Sequence, residues 1–196
     1  MIRRTFRPAP ELYISDHYIT GRRVMILRPA SLSDAENLAR LGRESFCHAF
    51  EHLYREEDLL PFLEQVYSVE AVRGEIADTA NTHRLALDED GGGLTGFIKV
   101  RQPSPYAEHS DAKRPLCLGQ LYTDPARTGE GIGAALMEWC LGFAEEQSCD
   151  AIQLSVYSDN PGAQRFYQRY GFRKIADIGF WVGQQRDEEF LFELRI

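Results

Sequence analysis

Three glycines, Gly129, Gly131 and Gly133, stand at the opening of a segment whose apolar residues repeat with a helical period. Glycine destabilises a helix by about 1 kcal/mol relative to alanine, so its use in an opening turn calls for a reason. A glycine turn at a helix N-terminus leaves backbone N–H groups free to bind an anion and directs the positive end of the helix dipole towards it. The spacing therefore predicts a phosphorylated ligand at this turn.

Other interpretations fit the same glycines less well. Gly129, Gly131 and Ala134 match the dinucleotide fingerprint G-x-G-x-x-A, and Asp150 follows where a ribose-binding acid is expected. In that fingerprint the turn directly follows its strand, whereas residues 124–128 intervene here. No lysine follows the glycines, which argues against a nucleoside triphosphate loop. A third interpretation, in which the glycines only form a tight helix entrance, leaves their cost unexplained.

A second group of residues begins at Asn160 and could carry acid–base chemistry. Asn160 precedes a short amphipathic helix, predicted over 161–170, that includes Tyr167. A tyrosine phenol has a reference pKa near 10, so it is protonated at neutral pH and can donate a proton. The alternative is that Tyr167 is a core aromatic residue, as we expect for Phe166 and Phe172.

In their order and separation, the glycine turn and the segment from Asn160 to Phe172 resemble the two motifs of the Gcn5-related N-acetyltransferase (GNAT) superfamily. The resemblance covers about residues 24–196 and implies acetyl transfer from the co-substrate acetyl-coenzyme A to a primary amine. It implies an α/β fold with a mixed, mostly antiparallel central sheet flanked by helices on both faces. It also implies that Tyr167 is the general acid that donates to the departing thiolate, and that Asn160 hydrogen-bonds the pantetheine chain or a bound water. The implied cofactor contacts are Leu121, Tyr122, Thr123, Arg127, Thr128, Gly129, Gly131, Ile132, Gly133, Ala134, Asn160 and Tyr167.

This chain departs from the family pattern at two positions. The first position of the cofactor motif is normally Gln or Arg, but here it is Thr128, so the neighbouring Arg127 is the expected source of positive charge for the pyrophosphate. Many relatives carry a Glu in the strand before the turn, and Gly119 occupies that position here. An alkylammonium group with a pKa near 10.4 must lose a proton before it can attack, so a water chain or a group from the first helices has to act as the base.

His48, Glu51 and His52 are predicted to line the acceptor pocket, because residues four apart share a helix face. The alternative is that all three are solvated surface residues. A metal site would need a third or fourth ligand that the pattern does not supply, so we expect no metal.

The acceptor is predicted to be a polyamine or a similar small cationic amine. Residues 44–70 resemble the helical region of bacterial spermidine and spermine N-acetyltransferases. A net charge of −8, with carboxylates at Glu51, Glu56, Glu57 and Asp58, agrees with a cationic substrate. Two alternatives stay open, namely acetylation of a protein N-terminal α-amino group and a non-catalytic module that only binds coenzyme A.

Length and composition indicate one domain. With 196 residues and 43% hydrophobic content, we expect a single domain over 24–196 after an N-terminal extension over 1–23. No apolar run is long enough to cross a bilayer, no signal peptide is evident, and the acidic balance disfavours nucleic acid. We therefore expect a cytoplasmic protein without membrane or nucleic-acid partners, and a homodimer is compatible with the sequence. The four cysteines form no CxxC pair and are predicted to be buried free thiols.

Hydrophobic periodicity and turn residues predict the elements that position these groups. A capping box at Ser33 and Glu36 predicts the start of the first helix, and the glycine run 91–93 predicts a hairpin turn. The proline-rich segment 102–115 predicts a long loop at the border of the active site. The predicted strands lie at about 24–28, 84–87, 94–100, 116–123, 151–156, 172–175 and 189–194, and the later helices at about 56–67, 68–78, 131–147 and 161–170.

Overall fold

A computed structural model describes residues 17–20 and 23–196 of the chain. The helices and strands in this part alternate along the second half of the chain, whereas three helices follow one another in the first half. The strands are β1 (His17–Thr20), β2 (Arg23–Pro29), β3 (Asn81–Asp88), β4 (Leu94–Arg101), β5 (Pro115–Thr123), β6 (Ala151–Tyr157), β7 (Arg173–Val182) and β8 (Gln185–Arg195). The α-helices are α1 (Ala35–Phe50), α2 (Glu56–Tyr67), α3 (Val69–Ala77), α4 (Ile132–Glu146) and α5 (Pro161–Arg169).

All of these strands belong to one sheet, in the order β1-β2-β3-β4-β5-β6-β8-β7. Neighbouring strands are antiparallel except β5 and β6, which are parallel. The parallel pairing extends only from Pro115 with Ala151 to Cys117 with Gln153. The predicted mixed, mostly antiparallel sheet is therefore confirmed.

Helices cover both faces of the sheet, because successive residues of a strand point to opposite sides. Leu85 and Phe97 pack in one buried cluster with residues of α1 and α3. Their strand neighbours Ala86 and Ile98 pack in another cluster with residues of α4 and α5. This arrangement also confirms the predicted layers.

The helix α4 is anchored deeply, which fixes the position of the glycine turn at its start. Leu136 and Met137 are adjacent in sequence, so they point in different directions, and both are 0% exposed. Burying one side chain of this size contributes about 1.5–3 kcal/mol. The first turn of α4 is thus held against the sheet, and Ile132 is buried in the same cluster.

The first helix starts differently from the prediction. The capping box lies at Ser31 and Asp34, before a short 3-10 turn over Leu32–Asp34, and not at Ser33 and Glu36. The backbone N–H of Ser31 donates to the carboxylate of Asp34 at 2.8 Å, and Arg28 holds the same carboxylate with bonds of 2.7 and 2.9 Å. Asp34 is fixed by two partners, so the chain turns earlier than the periodicity indicated.

The sheet also extends beyond its predicted limits. β1 lies within the predicted extension over 1–23 and pairs with β2 as an antiparallel hairpin. β7 and β8 are several residues longer than predicted, because they form a hairpin around Gly183 whose residues pair from Val182 with Gln185 to Arg173 with Glu193. Residues 1–16, 21 and 22 of the predicted extension lie outside the described residues.

The structure also bears on the predictions for the cysteines and for membrane-spanning segments. The four cysteines are free thiols, and Cys117, Cys140 and Cys149 are buried, whereas Cys47 is partly exposed. The prediction of buried free thiols is confirmed for Cys117, Cys140 and Cys149, and the predicted burial is wrong for Cys47. None of the helices in the described part of the chain combines the length and the apolar character that crossing a membrane requires.

Candidate active site

The parallel strands β5 and β6 separate shortly after they pair. Beyond Cys117 and Gln153, β5 continues to pair with β4, and β6 continues to pair with β8. Within the described residues, no strand pairs with the edge of β5 over 118–123 or with the facing edge of β6 over 154–157. The separation therefore leaves backbone donors and acceptors that an elongated polar ligand can bind.

A cavity of about 440 Å³ lies at this separation. Its walls come from the strands β3 to β8, from α1, α2, α3 and α5, and from the loop before β5. Nine of the lining residues are aromatic. Neighbouring rings touch, as Phe50 and Tyr157 do with ring centroids 6.0 Å apart. The aromatic lining residues are Phe46, Phe50, Phe62, Tyr67, Tyr106, Tyr122, Tyr157, Tyr167 and Phe180, and the charged ones are Glu75, Lys99, Arg101 and Glu189.

The loop over 102–115 borders this cavity, as predicted. Pro105 and Tyr106 line its wall. The loop is tied to the sheet, because the hydroxyl of Ser104 donates to the side chain of Gln153 at 2.7 Å. It is therefore a fixed wall of the cavity in this structure.

The glycine turn has the geometry that its sequence indicates. Gly129 and Gly131 have φ angles of +88° and +83°, which L-residues adopt only with strain. Gly131 is the N-cap of α4, no side chain caps the helix, and no acidic residue occupies its first turn. The N–H groups of the first turn, over 132–134, are thus left without a side-chain acceptor.

Gly133 differs from Gly129 and Gly131 in its backbone conformation. Its backbone is helical, and an added Cβ would lie 3.6 Å from Leu121 and 3.8 Å from Phe166, which are ordinary contact distances. The fold itself thus has room for alanine at this position. Ala134 completes the same turn of α4 and is partly buried.

Arg127 is not free to neutralise a pyrophosphate, which corrects the prediction for this side chain. Its guanidinium bonds the carboxylates of Asp88 and of Glu130, the latter at 2.9 Å. These two carboxylates also raise the pKa of Arg127 above its usual value. The hydroxyl of Thr128 donates to the carbonyl of Pro125 at 3.1 Å, so it is also engaged. Phosphate binding at the turn would therefore depend on backbone N–H groups.

Leu121 and Tyr122 line the cavity. Thr123 is the last residue of β5 and is not part of the cavity lining. The carbonyl of Thr123 accepts a hydrogen bond from the hydroxyl of Ser45 at 3.2 Å, which joins β5 to α1. The hydroxyls of Tyr122 and Tyr67 lie 3.0 Å apart, and burial raises the pKa of Tyr122 to about 12. Both phenols therefore stay neutral at physiological pH.

Tyr167 projects from α5 into the cavity. Its ring packs against Phe166 and Phe172, with centroid distances of 5.3 and 5.8 Å. Burial raises the pKa of Tyr167 far above its usual value, so the hydroxyl is protonated. No residue of the described chain hydrogen-bonds this hydroxyl. Because Tyr167 lines the cavity, this hydroxyl can donate a hydrogen bond to a ligand there.

The oxygen and the nitrogen of the Asn160 side-chain amide have different roles. The side chain is the N-cap of α5, and its Oδ1 accepts the backbone N–H of Ala163 at 3.0 Å. The Nδ2 group has no acceptor within the described residues, and Asn160 lines the cavity. The amide nitrogen is thus the part that can bind a ligand.

We predict that these two roles can be separated by mutation. Asn160→Ala removes the cap and the donor, and it should lower the free energy of unfolding by about 0.5–2 kcal/mol. Asn160→Ser keeps a capping oxygen and removes only the amide donor, so it should retain most of the stability. Thermal unfolding and acetyl-coenzyme A titration of both variants check this. Equal affinity of Asn160→Ser and the wild type would show that Nδ2 does not contact the ligand.

His48, Glu51 and His52 do not line the cavity, contrary to the prediction that they line the acceptor pocket. All three are exposed. The residues of α1 that face the cavity are Phe46 and Phe50. Each helical residue rotates the side chain by about 100°, so His48, two residues from both, points away from them.

Sequence reasoning missed Glu189, Glu75 and Lys99. Lys99 bonds Glu75 at 2.7 Å, and Glu189 lies on β8, far from both in sequence. The one available signal was a carboxylate directly before the apolar run over 190–192. Local patterns cannot show that this strand reaches the cavity.

Comparison with known proteins places the chain among acetyltransferases. Residues 44–172 match the model of the acetyltransferase (GNAT) family. A mycothiol acetyltransferase of Parafrankia sp. is 34% identical over 105 residues, which cover 48% of this chain and 33% of that protein. The chain therefore spans only about a third of the length of this relative. A spermidine N(1)-acetyltransferase of Thermoplasma acidophilum is 28% identical over 153 residues, which cover 77% of this chain and 89% of that protein.

A solved structure has the same fold. The crystal structure of the PaiA N-acetyltransferase from Thermoplasma acidophilum in complex with coenzyme A aligns with a TM-score of 0.70. The alignment covers 88% of this chain and 99% of that chain at 22% sequence identity. At this identity the likeness concerns the fold alone.

Proposed function

The chain belongs to the acetyltransferase (GNAT) family, and we propose that it transfers an acetyl group from acetyl-coenzyme A to a primary amine of a small cationic molecule. One observation carries the proposal: a single cavity joins the separation of β5 and β6 to the free hydroxyl of Tyr167. A thioester placed at the separation would lie beside a proton donor and beside an aromatic pocket for the acceptor.

The residues present fit acetyl-coenzyme A. Bound there, this co-substrate supplies a thioester carbon for attack and a thiolate that can leave. The N–H groups over 132–134 would hold the phosphates at the positive end of α4. The open edges of β5 and β6 and the Nδ2 of Asn160 would bind the amide groups of the pantetheine chain.

Tyr167 would act as the proton donor at the sulfur. Its hydroxyl is protonated throughout the physiological range, because burial raises its pKa. As the bond between carbon and sulfur breaks, negative charge grows on sulfur, and a donor at this point stabilises it. The aromatic surroundings lower the local dielectric constant and strengthen that interaction relative to water.

The wall of the cavity favours a cationic acceptor. Aromatic faces attract ammonium groups by about 0.5–2 kcal/mol, more when water is excluded. The polyamine class is our first candidate, supported by this wall, by the net charge of −8 and by the similarity to the Thermoplasma spermidine N(1)-acetyltransferase.

The predicted role of the surface carboxylates in binding a polyamine needs correction. Glu51, Glu56 and Glu57 are exposed outside the cavity, and Asp58 is buried with bonds to Arg55 and to the backbone N–H of Gln184. These groups can attract a cation from solution but do not hold it in the cavity. The hydrogen bonds to Asp58 lower its pKa, as expected for a structural carboxylate.

We predict that spermidine and spermine are acetylated faster than a short peptide with a free N-terminus. Attraction of a polycation by exposed carboxylates is screened over a Debye length of about 8 Å at physiological salt, so KM for spermidine should rise with ionic strength. Butylamine is the matched control, because it has one charge and should respond less to salt. Initial rates of thiol release at low and moderate salt provide the measurement.

Faster acetylation of the peptide, without a salt effect, would contradict the polyamine class and favour a protein N-terminus as the acceptor. Binding of coenzyme A without acetylation of any amine would favour the non-catalytic alternative.

A further inference from the structure

Glu189 is a carboxylate in the cavity that no ion pair with a described residue neutralises. It lies on β8 opposite Tyr157 of β6, and both residues line the cavity. Within the described chain, its carboxylate takes part in no hydrogen bond or ion pair. Its lone pairs are therefore free to accept a proton or a donor from a ligand.

The second carboxylate of the cavity is engaged. Glu75 bonds the ammonium of Lys99 at 2.7 Å, and His83 lies 3.9 Å from its other oxygen. These partners lower the pKa of Glu75 despite its burial. An ion-paired carboxylate of low pKa is a weak base, so Glu75 holds Lys99 in the wall and is poorly suited to take a proton.

The groups around Glu189 make it a stronger base than an ordinary glutamate. Burial first, and then the charge of Asp187, raise the pKa of Glu189 to about 7. A base is most effective when its pKa lies near the working pH. In the described part of the chain, the titratable groups that interact with or lie opposite Glu189 are one carboxyl and four phenols: Asp187 on β8, Tyr157 on β6, Tyr122 on β5, Tyr106 in the loop before β5 and Tyr54 after α1. The cations of the cavity, Lys99 and Arg101, are paired with Glu75 and Asp78.

We propose that Glu189 is the general base that deprotonates the acceptor amine, an inference that rests on the proposed function. The carboxylate takes one proton from the acceptor ammonium, which yields a neutral amine. The amine nitrogen attacks the thioester carbon, and the bond between nitrogen and carbon forms as the bond between carbon and sulfur breaks. The nitrogen loses a second proton, one proton reaches the sulfur through Tyr167, and the proton on Glu189 returns to solvent. The products are an amide and a free thiol.

This assignment accounts for the absence of a carboxylate at Gly119. Gly119 forms a bulge in β5, because Lys99 pairs with Gln120 while Val100 pairs with Leu118. A Cβ at Gly119 would lie 3.4 Å from the Cε of Lys99, so this place in the wall adjoins the ion pair with Glu75. The base then comes from another strand of the same cavity.

The test compares Glu189→Gln with Glu188→Gln. Glu188 is the adjacent exposed residue of β8, paired with Arg186 outside the cavity. We expect Glu189→Gln to lower kcat/KM for spermidine by about 100-fold to 10,000-fold, the usual contribution of a general base. Glu188→Gln should retain the rate of the wild type.

The pH profile provides a readout that a structural role would not change. For the wild type, kcat/KM should rise up to about pH 7 and then stay level, because the ionised base acts on the ammonium form until the amine itself titrates near 10.4. For Glu189→Gln the free amine must come from solution. Its kcat/KM should therefore keep rising about tenfold per pH unit above pH 7.

Thermal unfolding of Glu189→Gln distinguishes loss of the base from misfolding. The folded chain binds the Glu189 proton more tightly than the unfolded chain, so this residue destabilises the wild type as pH rises from about 4.5 to about 7. Glu189→Gln lacks this penalty and should unfold at the same or a higher temperature than the wild type at pH 8.

The outcomes distinguish the two proposals. A folded Glu189→Gln variant with the rate and pH profile of the wild type would overturn the base assignment and leave the proposed function standing. If the wild type acetylates no amine, both proposals fail together.

Discussion

Tyr167→Phe lowers kcat by about 100-fold to 10,000-fold if the phenol donates to the departing sulfur. This corresponds to about 3–5 kcal/mol of activation free energy. The substitution removes one hydroxyl and keeps the ring, so the contacts with Phe166 and Phe172 survive. The hydroxyl has no partner in the described chain, and its loss should therefore leave the melting temperature nearly unchanged. Steady-state kinetics at saturating acetyl-coenzyme A measure the effect.

Tyr170→Phe is the matched control for this substitution. Tyr170 follows α5 and packs against Phe166, with a centroid distance of 5.2 Å, but it does not line the cavity. Its variant should keep the kcat of the wild type. If Tyr167→Phe loses less than about threefold in kcat, Tyr167 is only a core aromatic residue.

Gly131→Val should raise the Kd of acetyl-coenzyme A at least about tenfold, which is 1.4 kcal/mol of binding free energy. A valine relaxes the φ of +83° towards negative values, which turns the N–H groups of the first turn of α4 away from the phosphates. The same strain should lower the free energy of unfolding by about 1–3 kcal/mol. Calorimetric titration at a temperature where circular dichroism shows a folded chain measures the affinity.

Gly91→Val controls for the strain in that experiment. Gly91 has a φ of +72° and lies in the turn between β3 and β4, outside the cavity. It should lose a similar amount of stability and keep its affinity. An equal loss of affinity in both variants would mean that strain, and not the glycine turn, determines binding.

Local patterns predicted most of the fold. The helix over 56–67 was predicted at the bounds that α2 has, and the strands β3 to β6 lie within a few residues of their predicted positions. These elements have strong alternation or helical periods and clear turn residues. The capping box before α1 lies at Ser31 and Asp34 and not at Ser33 and Glu36, because Arg28 of β2 holds Asp34, a contact that the local pattern does not contain.

The sequence predicted part of the candidate site, and there is a physical reason why it did not predict the rest. The glycine turn and Tyr167 belong to contiguous motifs, so their neighbours in space are also neighbours in sequence. Arg127 was expected to be free, but it pairs with Asp88 from the end of β3, which sequence spacing cannot show. His48 was expected in the pocket because it shares a helix face with His52, whereas the face of α1 that lines the cavity carries Phe46 and Phe50.

Glu189 shows why the base could not be found from sequence. Its position in the cavity depends on the order of the strands, in which β8 lies between β6 and β7. Its raised pKa results from burial and from Asp187, two residues before it on the same strand. Three successive acidic residues, Asp187 to Glu189, do not show in sequence which of them is buried in the cavity.

The most direct test of the account is the stoichiometry of products from acetyl-coenzyme A and spermidine. Thiol release and acetylated amine, the latter followed by mass spectrometry, should appear in equal amounts with the wild-type chain and should fall together in Tyr167→Phe. Thiol release that is the same with and without the amine would contradict acetyl transfer to an amine, as would binding of acetyl-coenzyme A without acetylation of any primary amine.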